Sequence, residues 1–81
     1  MKLYFDPVTV NCRKVLAGFD LMGIHYEEAR VDYFAGAHKG PDYTAINPNQ
    51  SLPALVDGDF TVWESNAILQ YAADKSGGER A

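Results

Sequence analysis

The segment Trp63-Glu64-Ser65-Asn66 places a carboxylate and a hydroxyl where a helix is predicted to begin. The unpaired backbone N–H groups and the dipole of a helix start favour an anion. Ser65 can donate its hydroxyl to a bound carboxylate and Glu64 can pair with an ammonium group, so an amino-acid head group would suit this pair. The same residue types are common helix caps, which leaves a purely structural role open.

The segment Ser51-Leu52-Pro53-Ala54 offers a second kind of chemistry, because a proline that begins a strand tolerates its missing N–H. If the peptide bond before Pro53 is cis, the chain turns sharply and Leu52 presents its backbone N–H and C=O to solvent. An extended peptide can then pair with it as an added strand. An ordinary trans proline is the alternative, since only about 5–6% of such bonds are cis.

The segment Thr9-Val10-Asn11-Cys12 begins the first predicted helix with a hydroxyl and an amide. Donors there favour a thiolate over a thiol, and a hydrogen bond to a charged acceptor contributes about 1.5–3 kcal/mol, or about one to two pKa units. A simple N-cap role for Thr9 or Asn11 is equally compatible with the spacing. Cys12 stands at the second position of a C-x-x-C pattern whose first cysteine is Thr9, so dithiol chemistry is excluded and Cys12 is expected to be a small packed residue.

Two further candidate residues, His38 and Lys39, fall in a long predicted loop at 32–50. They could meet a carboxylate, or they could simply be solvated loop residues.

The elements that must position these residues follow the order β-α-β, loop, β-β-α. A strand, helix and strand of this length predict a parallel pair, whereas the Asp57-Gly58 turn signal predicts an antiparallel hairpin. This α/β arrangement of a mixed four-stranded sheet with flanking helices resembles the thioredoxin fold. Strands are predicted over 2–5, 24–31, 53–56 and 60–63, helices over 10–22 and 64–75, and a short helix over 42–46.

The composition excludes several function classes. Seven Lys and Arg residues against eleven Asp and Glu give a net charge of −4, and the basic residues are scattered, so no nucleic-acid partner is expected. No apolar stretch approaches the ~20 residues of a membrane helix, and no secretory signal opens the chain. One cysteine excludes an internal disulfide, and with two histidines it is a poor metal set, so we expect no metal, no membrane partner and a cytoplasmic location.

Two longer motifs together resemble the N-terminal domain of cytosolic glutathione S-transferases. The first is NPNQSLPALVDG at 47–58, and the second is WESNAI at 63–68. The family pattern is N-P-x-x-x-[VIL]-P-x-L, a hairpin, and then [ET]-S-x-A-I. The resemblance extends from residue 2 to about residue 75, and it implies the thioredoxin fold, a cis bond before Pro53 and a site for glutathione as co-substrate.

The resemblance also implies roles for individual residues. Leu52 would pair its backbone with the cysteinyl unit of glutathione, and Glu64 and Ser65 would hold its γ-glutamyl head. Gly36-Ala37-His38 is similar to the theta-like Gly-x-His, in which the histidine reaches toward the glycyl end. The same glutathione site would include Lys39, Gln50, Ser51 and Pro53, although many family members have lysine or another long polar residue at the position of Ser51.

The thiolate donors implied by the resemblance are Thr9 and Asn11. Asp6 and Pro7 stand where tyrosine-type classes carry a phenol, and Thr9 falls where theta-like enzymes carry serine and omega-like enzymes carry cysteine. The Thr-x-Asn spacing resembles bacterial nu-class enzymes. The implied activity is attack by the glutathione thiolate on an unknown small electrophile. A glutathione-dependent disulfide-bond reductase and a non-enzymatic interaction module are the alternatives.

The domain organisation implied by the resemblance is a glutathione-binding, thioredoxin-like domain at 1–75. Residues 76–81 would begin a linker to an all-helical C-terminal domain, and the full-length protein would be a homodimer. Domains of that kind supply most of the pocket for the electrophile.

Overall fold

A computed structural model describes residues 1–75, which form one four-stranded sheet and three α-helices. The strands are β1 (Lys2–Phe5), β2 (Glu27–Arg30), β3 (Ala54–Asp57) and β4 (Phe60–Trp63). The helices are α1 (Val10–Met22), α2 (Pro41–Ile46) and α3 (Ser65–Lys75), and a single 3-10 turn covers Ala37–Lys39. The linker predicted at 76–81 lies outside the described residues.

The strand order in the sheet is β2-β1-β3-β4. β1 pairs with β2 in parallel, whereas the β1–β3 and β3–β4 pairs are antiparallel. The predicted mixed sheet with flanking helices, and with it the thioredoxin-like fold, is therefore confirmed.

The core lies between one face of the sheet and the two longer helices. Leu3 and Leu55 of the sheet are fully buried together with Phe19 of α1 and Ile68 of α3, and each side chain of this size contributes about 1.5–3 kcal/mol by leaving water. The helices approach closely at Gly18, where an added Cβ would overlap the side chain of Leu69.

The opposite face of the sheet is covered by α2. Tyr4 neighbours the buried Leu3 in β1 and therefore points to the other face. Its ring contacts that of Tyr43 in α2, with 6.0 Å between centroids. Among residues 1–75, no helix combines the length and the apolar character needed to cross a membrane.

Four elements differ from their predicted bounds. The short helix α2 begins at Pro41, one residue earlier than predicted, because proline is tolerated in the first turn of a helix. β2 is shorter than 24–31 because Ile24 still belongs to the end of α1, where its N–H donates to the Phe19 carbonyl at 3.0 Å after the left-handed Gly23. β3 begins at Ala54 rather than at Pro53, which has no N–H to pair. The third helix begins at Ser65 because Glu64 adopts a φ of 88°, outside the helical region.

Candidate functional site

All ten of the predicted site residues line one groove, which we define as two adjoining cavities of about 350 and 400 Å³. The two cavities share Asn11, Asn49, Ser51 and Leu52 as common walls. We call the remainder of the first cavity the α3 end; it consists of Pro53, Trp63, Glu64 and Ser65. The remainder of the second cavity is the α1 end, formed by Thr9, Tyr33, His38, Lys39 and Gln50.

The peptide between Leu52 and Pro53 is cis, which confirms the expectation drawn from the motif. Both residues are buried, and β3 follows directly at Ala54. Within residues 1–75, no backbone hydrogen bond engages Leu52. The Leu52 N–H and C=O therefore have no backbone partner in that range, and Leu52 lines both cavities.

The start of α3 gives the α3 end its polar character. The carbonyl of Glu64 accepts the first helical bond from Ile68 N–H at 3.0 Å, and the positive φ of Glu64 is uncommon outside glycine. Ser65 is 7% exposed and lines the groove, yet no hydrogen bond inside the described range engages its hydroxyl. The hydroxyl and the first helical N–H groups are thus available to an anion.

The start of α1 is different, because Thr9 caps its own helix. The Thr9 hydroxyl oxygen accepts from Cys12 N–H at 3.2 Å, and the hydroxyl donates to the carbonyl of Asp6 at 3.3 Å. Asn11 is exposed, and none of the hydrogen bonds in the described part of the chain involves its side chain. Cys12 is fully buried, as predicted for a small packed residue.

His38 and Lys39 differ in burial. His38 is 8% exposed, and its imidazole stacks on the Tyr33 ring with 4.5 Å between centroids and 15° between planes. Its Nδ1 is buried and has no hydrogen-bond partner among residues 1–75. The alternative of a solvated loop histidine is therefore wrong, whereas Lys39 is exposed at the rim of the groove.

Ser51, a wall of the groove, is held in place by buried polar side chains beneath it. Asn47, which is fully buried, donates through Nδ2 to the Ser51 carbonyl at 2.9 Å, and its Oδ1 accepts from Asn49 N–H at 3.0 Å. The Tyr43 hydroxyl donates to the same Ser51 carbonyl at 2.6 Å. Burial raises the pKa of Tyr43 to about 12, so the phenol remains a donor at neutral pH.

Gln50 is held by its own contacts. Its φ is 58°, and its Nε2 donates to the Thr44 hydroxyl at 3.0 Å. This bond ties the loop that carries the motif to α2.

Three groove residues were not among the predicted site residues: Tyr33, Asn49 and Trp63. Asn49 and Trp63 lie inside the two quoted motifs, so the motifs contained a signal for both. Tyr33 has no such signal, since its place at the groove depends on contacts with residues outside the motifs, such as the stacking on His38.

Comparisons with known proteins identify the family of this chain. The profile of the family described as "Glutathione S-transferase, N-terminal domain" matches residues 2–74. The chain is 43% identical over 79 residues to glutathione S-transferase 3 of Zea mays, covering 98% of this chain and 36% of that protein.

Two solved structures extend the likeness. Glutathione transferase F7 from Populus trichocarpa superposes with a TM-score of 0.87 at 40% identity, over 95% of this chain and 36% of its own. Glutathione transferase URE2P8 from Phanerochaete chrysosporium, solved with oxidized glutathione, superposes with a TM-score of 0.87 at 36% identity, over 98% and 37%. The chain thus spans about a third of the length of the relatives it matches.

Proposed function

This chain belongs to the family of glutathione S-transferase N-terminal domains, and we propose that its groove binds glutathione and favours the thiolate form of the tripeptide. The observation that carries the proposal is the groove itself. Every residue expected from the sequence to contact glutathione lines it, between the starts of two helices and around the cis Leu52–Pro53 bond. A structure of a similar protein contains oxidized glutathione, which supports the same ligand class here.

The α3 end would hold the γ-glutamyl head of the tripeptide. Its α-carboxylate would accept from the Ser65 hydroxyl and the first N–H groups of α3, and its ammonium would pair with Glu64. The Leu52 backbone would bind the cysteinyl unit as an added strand. Each of these protein groups is unpaired within residues 1–75 or exposed, so binding would break no internal hydrogen bond.

The α1 end would receive the sulfur and the glycyl end. The Asn11 amide is unpaired within the described residues and would donate to the sulfur. The Thr9 hydroxyl would exchange its long 3.3 Å bond to the Asp6 carbonyl for a bond to the same sulfur. The glycyl carboxylate would meet His38, Lys39 and Gln50, with Ser51 beside them. The thiol would lose its proton to solvent, and the sulfur lone pair would then form a C–S bond to the electrophile as the leaving group departs with its electron pair.

For the whole protein we propose a glutathione transferase that acts on a small electrophile as a cytoplasmic homodimer. The names of the similar proteins support transferase activity. We also propose the domain arrangement stated above, in which 76–81 leads to a helical domain that completes the electrophile pocket.

Calorimetric titration with glutathione tests the binding proposal directly. We expect saturable binding with one site per chain, and Thr61→Ala, which removes a hydroxyl outside the groove, should bind with the same affinity. Absence of binding would overturn the proposal in favour of a non-enzymatic interaction module. If glutathione binds, two activity assays separate the remaining alternatives. Conjugation of a chloro-dinitrobenzene would indicate the transferase, and reduction of a model mixed disulfide would indicate the disulfide reductase.

A further inference from the structure

Asp6 is a buried carboxylate that the proposed function does not use. It follows β1 directly and is 1% exposed. Its Oδ1 accepts from Val8 N–H at 3.0 Å, and its Oδ2 accepts from Tyr33 N–H at 2.9 Å. The first amide belongs to the loop before α1 and the second to the loop after β2. One carboxylate therefore joins two loops, and it reaches Tyr33 across 27 residues of sequence.

Several hydrogen-bond donors surround the Asp6 carboxylate and compensate for its burial. The N–H groups of Tyr33 and Val8 lower the pKa of Asp6, and Arg30 adds to this effect, so together they outweigh burial, which acts in the opposite direction. The Arg30 guanidinium lies 3.3 Å from Oδ1, with its side chain largely exposed. Asp6 thus remains an acceptor for both loops at neutral pH.

Both loops carry walls of the α1 end. The main-chain carbonyl of Asp6 accepts from Thr9 N–H at 3.1 Å and from the Thr9 hydroxyl at 3.3 Å. On the other side, the amide held by the carboxylate is that of Tyr33, whose ring stacks on His38. Asp6 consequently links Thr9 to the stacked pair through hydrogen bonds.

We propose that Asp6 is a positioning residue, which holds Thr9 and the Tyr33–His38 stack at a fixed separation so that the sulfur and the glycyl end of glutathione bind together. Asp6 is not one of the residues that line the groove. The inference rests on the proposed function. Beyond that function, the affinity for the glycyl unit would depend on the Asp6 carboxylate, which lies outside the groove lining.

Asp6→Asn tests this coupling while preserving side-chain size. The amide retains one acceptor oxygen, so it can hold Val8 or Tyr33 but presents an N–H group to the other amide. The measurement is the ratio of two dissociation constants, that of γ-glutamylcysteine, which lacks the glycyl unit, over that of glutathione. We expect the ratio to fall about fivefold, as for loss of one hydrogen bond. A merely structural role would weaken both ligands equally and leave the ratio unchanged.

Asp6→Ser provides a second variant if the first does not fold. A serine hydroxyl at this position can still accept locally from Val8 N–H, two residues on, but it is too short to reach Tyr33. The ratio should fall as in Asp6→Asn. Asp59→Asn, on the exposed β3–β4 turn, removes the same charge and should leave the ratio at the wild-type value.

A measurement on the unaltered chain complements both variants. Glutathione should slow hydrogen exchange at the amides of Val8 and Tyr33 together, because the ligand contacts the walls that Asp6 links. An unchanged ratio in a folded variant, a wild-type ratio near one, or unchanged exchange at both amides would overturn the inference. Failure of the unaltered chain to bind glutathione would instead overturn the proposed function.

Discussion

Each end of the groove contains the start of a helix with a hydroxyl residue, but the hydroxyl makes different contacts at the two ends. Both α1 and α3 start at the groove, and both starts carry a hydroxyl residue. At α1 the Thr9 hydroxyl accepts from Cys12 N–H and so completes its own helix. At α3, within residues 1–75, the Ser65 hydroxyl has no such bond. The α3 end is therefore free to anchor a ligand, whereas the α1 end must exchange an existing contact.

The two ends also differ in what holds them. The α3 end is built on β3, β4 and the first turn of α3, which are regular elements with paired backbones. The α1 end is built from loops that side chains tie together, above all Asp6 and Gln50. We expect affinity to depend most on the α3 end and thiol chemistry to depend most on the α1 end.

The largest effect is expected from Ser65→Ala. Loss of a hydrogen bond to a charged carboxylate costs about 1.5–3 kcal/mol, which corresponds to roughly 10- to 150-fold weaker glutathione binding. The free energy of unfolding should change little, because the hydroxyl has no partner in the described part of the chain. Calorimetry and urea unfolding measure the two quantities. An affinity equal to that of the wild type would remove the distinction between the two ends.

An intermediate effect is expected at the α1 end. Thr9→Ala and Asn11→Ala should each raise the pKa of bound glutathione, by about one to two units in the double variant, as followed by thiolate absorbance. Thr9→Ala should also lower the free energy of unfolding by about 1 kcal/mol, because it removes the N-cap. Asn11→Ala should leave stability unchanged. An unaltered thiol titration in the double variant would contradict the assignment of both donors.

The smallest effect concerns the pH dependence of stability. The folded state lowers the pKa of Asp6 below the usual 3.8, so the ionised carboxylate stabilises the fold above that pH, and this contribution is lost as the pH falls through the folded-state pKa. The stability advantage of the wild type over Asp6→Asn should shrink in acid. Urea unfolding at neutral pH and at several pH values below 4 measures it, with Asp59→Asn as the control for charge. A constant difference would contradict the account.

The sequence predicted the α3 end more completely than the α1 end. The two motifs at 47–58 and 63–68 contain the cis proline, the helix start and most of the groove, because these features depend on neighbours in sequence. The burial of His38 depends on stacking with Tyr33, and the role of Asp6 depends on an amide 27 residues away. Such contacts arise only when the loops meet in the folded chain. The positive φ of Glu64 likewise has no signal in its residue type.

The central claim is that the groove binds glutathione, with the start of α3 as its anchor. A titration of the isotope-labelled chain with glutathione, followed by amide NMR shifts, tests it most directly. We predict saturable shifts at Leu52 and Ser65, accompanied by smaller shifts at Asn11. No shift at either of the first two amides, or shifts confined to the separate cavity between β2 and α2 around Ala29 and Ile46, would contradict it.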